Sequence, residues 1–126
     1  MILIIGGAYQ GKLDYAVGRF RLREDEIFRC SYEDTTCPAG KKAIYEIDKW
    51  ILALIRANKD IPEAVRQFLN ENKDAIVISN DISCGVVPID AEMRRWREEM
   101  GRFLGLLAQE SKEVIRMYCG IATKLQ

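Results

Sequence analysis

Apolar positions along the chain change period several times, and each change marks a boundary. Met1 to Ile5 is a short unbroken apolar run rich in β-branched residues, too short for a helix and therefore predicted as a buried strand. From Lys12 to Leu22 the apolar residues Leu13, Tyr15, Ala16, Val17, Phe20 and Leu22 fit a helical period, with Arg19, Arg21 and Arg23 near the C-terminal end, where cations suit the helix dipole. Glu26 to Ser31 is the second strand candidate, and Thr35 to Gly40, with Cys37 and Pro38, reads as loop. From Lys41 onward Ile44, Ile47, Ile51, Leu54 and Ile55 recur at threes and fours, with Trp50 widening the stripe, which predicts an amphipathic helix to about Ala57. Pro62 suits the first turn of a further helix with Ala64, Val65, Phe68 and Leu69 on one face.

Ala75 to Ser79 is the third strand candidate, followed by Asn80-Asp81, and Ser83 to Pro88 is irregular because its glycine and proline forbid either regular element. Asp90 is placed to cap a long helix with Met93, Trp96, Met100, Phe103 and Leu107 on one side and Arg94, Arg95, Arg97 and Arg102 on others. Glu113 to Cys119 alternates as a last strand, and Gly120 to Gln126 reads as a polar tail. Strands alternating with helices in this order predict a single α/β domain over residues 1–126, layered around a mainly parallel sheet of about four to five strands.

Composition narrows the partners. Nineteen basic and nineteen acidic residues cancel, so no global field draws the chain to nucleic acid or to a membrane surface. No apolar run approaches a membrane span, and the N-terminal stretch lacks the basic flank of a signal peptide, so a cytoplasmic protein is expected. Cys30, Cys37, Cys84 and Cys119 have no C-x-x-C pairing and there is no histidine. Reduced thiols are expected rather than a zinc site.

The first strand runs into the chain's most chemical stretch. Gly6, four residues, Gly11 and Lys12 reproduce most of a phosphate-binding loop, in which glycines let backbone N–H groups curl toward phosphate oxygens and the lysine adds a full charge. Gly6, Gly7, Ala8, Tyr9, Gln10, Gly11, Lys12 and Leu13 are the candidate nucleotide contacts. The bland alternative is a glycine-rich turn with an incidental lysine. Leu13 stands where the motif requires a hydroxyl for Mg²⁺, so phosphate binding and metal binding separate here. Ligands of parallel sheets sit beyond the carboxyl ends of strands, an edge that collects Gly7, Lys12, Asp34, Asn80 and Asp81.

Two ends of the chain resemble the bifunctional adenosylcobinamide kinase/adenosylcobinamide-phosphate guanylyltransferase family of cobalamin biosynthesis. Gly6-Gly7-Ala8 with Gly11-Lys12 is similar to that family's GGARSGKS loop. Ile78-Ser79-Asn80-Asp81, Gly85-Val86-Val87-Pro88, then Arg95, Arg97, Gly101-Arg102 and Ala108 resemble its V-[TS]-N-E-V-G-x-G-I-V-P run and the helix after it, and Gly120 to Gln126 resembles its ending. The likeness covers roughly the first 17 and last 50 residues. It implies a three-layer P-loop (RecA-like) fold, GTP or ATP at the loop, a homo-oligomer, and phosphoryl transfer to a corrinoid-type alcohol. In that scheme Lys12 and Asp81 are catalytic, and Asp34 and Asp81 organise Mg²⁺.

The departures are chemical. The family passes GMP through a histidine that this chain lacks, Leu13 replaces the metal-binding serine, and Tyr9-Gln10 replaces Arg-Ser. Two functions therefore compete: a divergent kinase without guanylyl transfer, and a catalytically inactive nucleotide- or corrinoid-binding homologue acting as a sensor or subunit. A third, an assembly protein, would use the apolar stripe of the last helix as its interface.

Overall fold

The structure is a computed structural model that describes residues 1–82 and 90–126; the Ser83 to Pro88 stretch expected to be irregular, with Cys84 and the Gly85-Val86-Val87-Pro88 motif, lies outside them. The chain runs β1 (Ile2–Gly6), α1 (Lys12–Phe20), β2 (Ile27–Arg29), β3 (Ala43–Tyr45), α2 (Ile47–Arg56), α3 (Ile61–Glu71), β4 (Ile76–Asn80), α4 (Ala91–Glu110), β5 (Glu113–Tyr118) and β6 (Ile121–Lys124). A 3₁₀ turn at Glu24–Glu26 leads into β2.

β1 is apolar on both sides because both sides are covered. Leu3 packs with one core and Ile4 with the other, as opposite-facing neighbours on a strand must, and β1 pairs in parallel with β4 on one flank and β5 on the other. Val77 and Ile78 of β4, and Val114 and Ile115 of β5, divide in the same way. The sheet order is β2-β3-β4-β1-β5-β6, parallel throughout except for the antiparallel β5–β6 pair. α1 covers one face through Ala16. On the other, α2, α3 and α4 bring Trp50, Phe68 and Phe103 together, with ring centroids 5.4 to 6.2 Å apart. The result is three layers, helix, sheet and helices.

Helix starts follow the sequence closely. The Asp60 carboxylate accepts from the Glu63 N–H at 3.1 Å ahead of Pro62, and the Asp90 carboxylate accepts from the Glu92 N–H at 2.7 Å. Both satisfy donors that a helix leaves free at its first turn.

Three expectations are corrected. The sheet has six strands, not four to five, because two short ones carry misleading patterns. β3 lies inside the stretch read as helix from Lys41: Ile44 on β3 and Ile47, Ile51 and Leu54 on α2 all enter one core, so spacings of three and four run unbroken across a strand-to-helix junction. β6 lies in the segment read as a polar tail. Its four residues are all exposed, so it carries no burial pattern and is held by pairing with β5. The stripe on α4 faces inward, with Met100, Phe103 and Leu107 buried, which removes it as an assembly interface. Among the described residues no helix is long and apolar enough to cross a membrane.

Gly6 sits hard against β5: a Cβ added there would lie 2.6 Å from the Met117 carbonyl oxygen. That neighbour is backbone and cannot swing away. Gly6→Ala should lower stability by about 1 to 3 kcal/mol, the usual cost of overpacking, read from urea unfolding midpoints.

Candidate active site

The turn after β1 is shaped by two left-handed residues, Tyr9 (φ 61°) and Gly11 (φ 84°). Gly11 is the N-cap of α1 and, having no side chain, leaves the first-turn N–H groups without a side-chain acceptor. Uncapped donors at the positive end of a helix dipole suit an anion. The loop is braced from two sides. Gln10 accepts through its side-chain oxygen from the Cys119 N–H, and through its carbonyl from the Gly120 N–H at 3.3 Å. At the base, the Asp81 N–H donates to the Gly6 carbonyl at 2.8 Å.

Lys12 turns back into this loop. It is only 4% exposed, and its ammonium donates to the Gly7 carbonyl at 2.6 Å. Burial pushes its pKa down, while the charges of Asp48 and Glu46 oppose that shift. Both carboxylates come from the junction of β3 and α2, where Glu46 takes a left-handed turn (φ 58°). Asp48 is 1% exposed. Its two oxygens accept from Asn80, from the backbone N–H at 3.0 Å and from the side-chain amide at 3.3 Å. The same amide reaches Glu46 at 3.4 Å, and Lys49 pairs with the other Glu46 oxygen at 3.0 Å. Trp96 donates its indole N–H to the Asp48 carbonyl at 2.8 Å, which ties α4 to the same corner.

Between the two walls lies a cleft of about 460 Å³, lined by residues 8–14 on one side and by Tyr45, Glu46 and Asn80 on the other. Its size suits a small-molecule ligand. Residues 40–125 match the model of the cobinamide kinase / cobinamide phosphate guanyltransferase family, CobU. The chain belongs to this family. The matched segment contains Glu46, Asp48, Asn80 and Asp81 but begins after the loop, so the part played by Gly6 to Leu13 rests on geometry. Comparison with curated proteins gives no match.

Within this CobU chain the sequence-derived residues separate into two groups. Ala8, Tyr9, Gln10, Gly11, Lys12 and Leu13 line the cleft with Asn80, and Gly6 and Gly7 supply the loop's base and the carbonyl that holds Lys12. Asp81 lies beneath the loop through its backbone and is not among the cleft-lining residues. Asp34 lies in the exposed segment after the edge strand β2 and is not among the cleft-lining residues either. Its carboxylate accepts from the Thr36 N–H at 2.9 Å, a bond that lowers its pKa. The carboxylates that face Lys12 are Glu46 and Asp48, which sequence reasoning missed. The available signal was an acidic residue directly after Ala43-Ile44-Tyr45, visible only if that triplet is read as a strand.

Leu13 brings hydrocarbon where a hydroxyl is needed, and both Asp48 oxygens are engaged by Asn80. Among the described residues no three acidic or thiol side chains converge as metal ligands. Cys30 and Cys37 are unpaired thiols whose pKa values burial raises to about 12 and about 11, and Cys119 is unpaired and exposed.

Burial raises the Asp48 pKa, against the bonds from Asn80 that favour its charged form. The folded protein therefore holds that proton to higher pH than the unfolded chain does. The associated stability is present below the ordinary carboxylate range and is lost as pH rises through the folded value. Asp48→Asn removes this term, so urea unfolding over a pH series should show wild type losing stability relative to the variant as pH rises out of that range. A pH-independent difference between the two would contradict the assignment.

Proposed function

We propose that this CobU-family chain is a single P-loop (RecA-like) domain that binds the triphosphate of GTP or ATP between the Gly6 to Leu13 loop and the Glu46–Asn80 wall. It transfers the terminal phosphoryl group to a corrinoid-type alcohol. One observation carries the reading: a buried lysine at the end of a glycine loop, held on Gly7 and opposed by two carboxylates across a cleft. A bound phosphate chain would take over the ammonium from the Gly7 carbonyl and meet the free N–H groups of the first α1 turn. In the transfer, the alcohol oxygen bonds to the terminal phosphorus as the bridging P–O bond breaks and the nucleoside diphosphate leaves with that electron pair. Lys12 offsets charge that develops on the phosphate oxygens. The alcohol's proton passes to a carboxylate, for which Glu46 lines the wall and Asp81 lies at the loop base.

The family's second activity is left out of the proposal, because the chain contains no histidine to carry GMP. Leu13 in the cleft favours a second reading, a homologue that binds nucleotide or corrinoid without turnover. Either form fits a cytoplasmic homo-oligomer.

Calorimetry with GTP and ATP should give binding that Lys12→Ala weakens by at least about tenfold, the loss of about 1.4 kcal/mol expected from removing one charge-assisted contact. Equal binding by both proteins would sink the proposal. Turnover of nucleotide with cobinamide then separates the readings: activity above the Lys12→Ala control supports the kinase. Activity gained only in Leu13→Ser supports a binding protein descended from one.

A further inference from the structure

β6 ends one side of the sheet, and its pairing with β5 decides where its backbone groups point. In an antiparallel ladder, residues that bond to the partner strand alternate with residues that face away. The Leu125 N–H donates to the Val114 carbonyl at 2.7 Å, and Ile121, opposite Tyr118 across the Cys119-Gly120 turn, stands in the same phase. Ala122 and Lys124 fall in the other phase, so their N–H and C=O groups point out from the sheet. All of β6 is exposed. The opposite edge is guarded by charge: Arg29 of β2 pairs with Glu24 at 2.8 Å, and Glu26 just before β2 pairs with Lys42 at 2.7 Å. Edge charges discourage a further strand, and β6 carries only Lys124.

The sheet face beside this edge is bare. Val114 enters the core with residues of α2, α3 and α4, but Arg116 and Tyr118, the next positions on that face of β5, are exposed. The register carries the face onto β6, with Thr123 opposite Arg116 and Ile121 opposite Tyr118, and Leu125 continues it. Tyr118, Ile121 and Leu125 are 69%, 67% and 54% exposed. Single apolar side chains on a surface are ordinary, whereas a contiguous group marks an interaction site.

The strand is complementary to itself. If two copies of β6 run antiparallel about a two-fold axis, their outward groups meet only when the axis falls at a residue rather than between residues. An axis at Thr123 sets Ala122 opposite Lys124, which closes the backbone hydrogen bonds, and sets Ile121 opposite Leu125 on the bare face. The two lysines then do not oppose each other, so no like charges are juxtaposed. An axis at Ala122 would instead set Ile121 opposite Thr123 and Leu125 against the turn.

We propose that two copies of this chain join edge to edge through antiparallel β6 strands, in the register centred on Thr123, to make one continuous sheet with a shared apolar strip. The interface is small, so association belongs in the micromolar range. It depends on the β6 edge and not on what the cleft binds, and therefore stands or falls separately from the nucleotide reading.

The test is sedimentation equilibrium of the full chain, without nucleotide, from about 1 to 300 µM. Wild type should reach twice the monomer mass within that range. Ala122→Pro removes an outward N–H at a position where an edge strand tolerates proline, and it should raise the dissociation constant by about tenfold or more. Ile121→Lys should do the same by setting a charge against Leu125, and at its exposed position it keeps the test intact if the proline disturbs the hairpin. Adding Leu125→Glu to Ile121→Lys sets opposite charges across the axis and should recover most of the loss. A wild type that stays monomeric overturns the proposal and leaves the edge to a strand of another protein. Association unchanged in both single variants also overturns it, because the interface then lies elsewhere, and a double variant that recovers nothing overturns the Thr123 register.

Discussion

A lysine ammonium taken out of water has to be compensated, and the corner of the fold around Lys12 is built to do so. An isolated buried charge would cost several kcal/mol, roughly. Here the ammonium keeps a carbonyl partner on Gly7 and feels the charges of Asp48 and Glu46 from the neighbouring wall. Those carboxylates are compensated in turn. Asn80 holds Asp48 with two hydrogen bonds, and Lys49 holds Glu46. The chain of partners fixes the end of β4 against the start of α2, and so fixes the width of the cleft.

Strand order makes that arrangement reachable. β1 lies between β4 and β5, so the loop that leaves β1 has a strand end on each side of it. From β4 it receives the Asp81 N–H at its base, and from the turn after β5 it receives the Cys119 and Gly120 N–H groups on Gln10. The chain moves out to β2 after β1 and later crosses from β4 to β5, so its direction along the sheet reverses around β1. Such reversals open the crevice where α/β sheets take their ligands. The close approach of Gly6 to Met117 belongs to the same constraint, since a side chain there would push β5 away from the loop it supports.

On the proposed reading, the site retains one part of phosphoryl chemistry while losing others. Charge, loop geometry and a free helix terminus are in place. The hydroxyl that would hold a metal is a leucine, and the imidazole that would carry a nucleotide is absent. Electrostatic preorganisation supports binding and transition-state stabilisation alike, which is why turnover has to be measured separately from affinity in this member of the CobU family.

Much of this was legible in the sequence alone. Strands that are buried on both faces, such as β1 and β4, announce themselves as unbroken apolar runs. Helices with capped starts, such as α3 and α4, show their limits through Asp60, Pro62 and Asp90. The loop from Gly6 to Lys12 is legible because backbone curvature and charge are properties of local residues. Non-local effects decided the rest. β6 exists because β5 offers it hydrogen bonds, with no burial to mark it. β3 hides in a helical spacing because two different elements send side chains into one core. The counter-charges of Lys12 come from that hidden junction, more than thirty residues away in sequence, and Asp34, which followed a suitable strand end on paper, is not among the residues that line the cleft. Local chemistry named the lysine; only the order in which strands pair chose the carboxylates that face it, because charge acts through space and not along the chain.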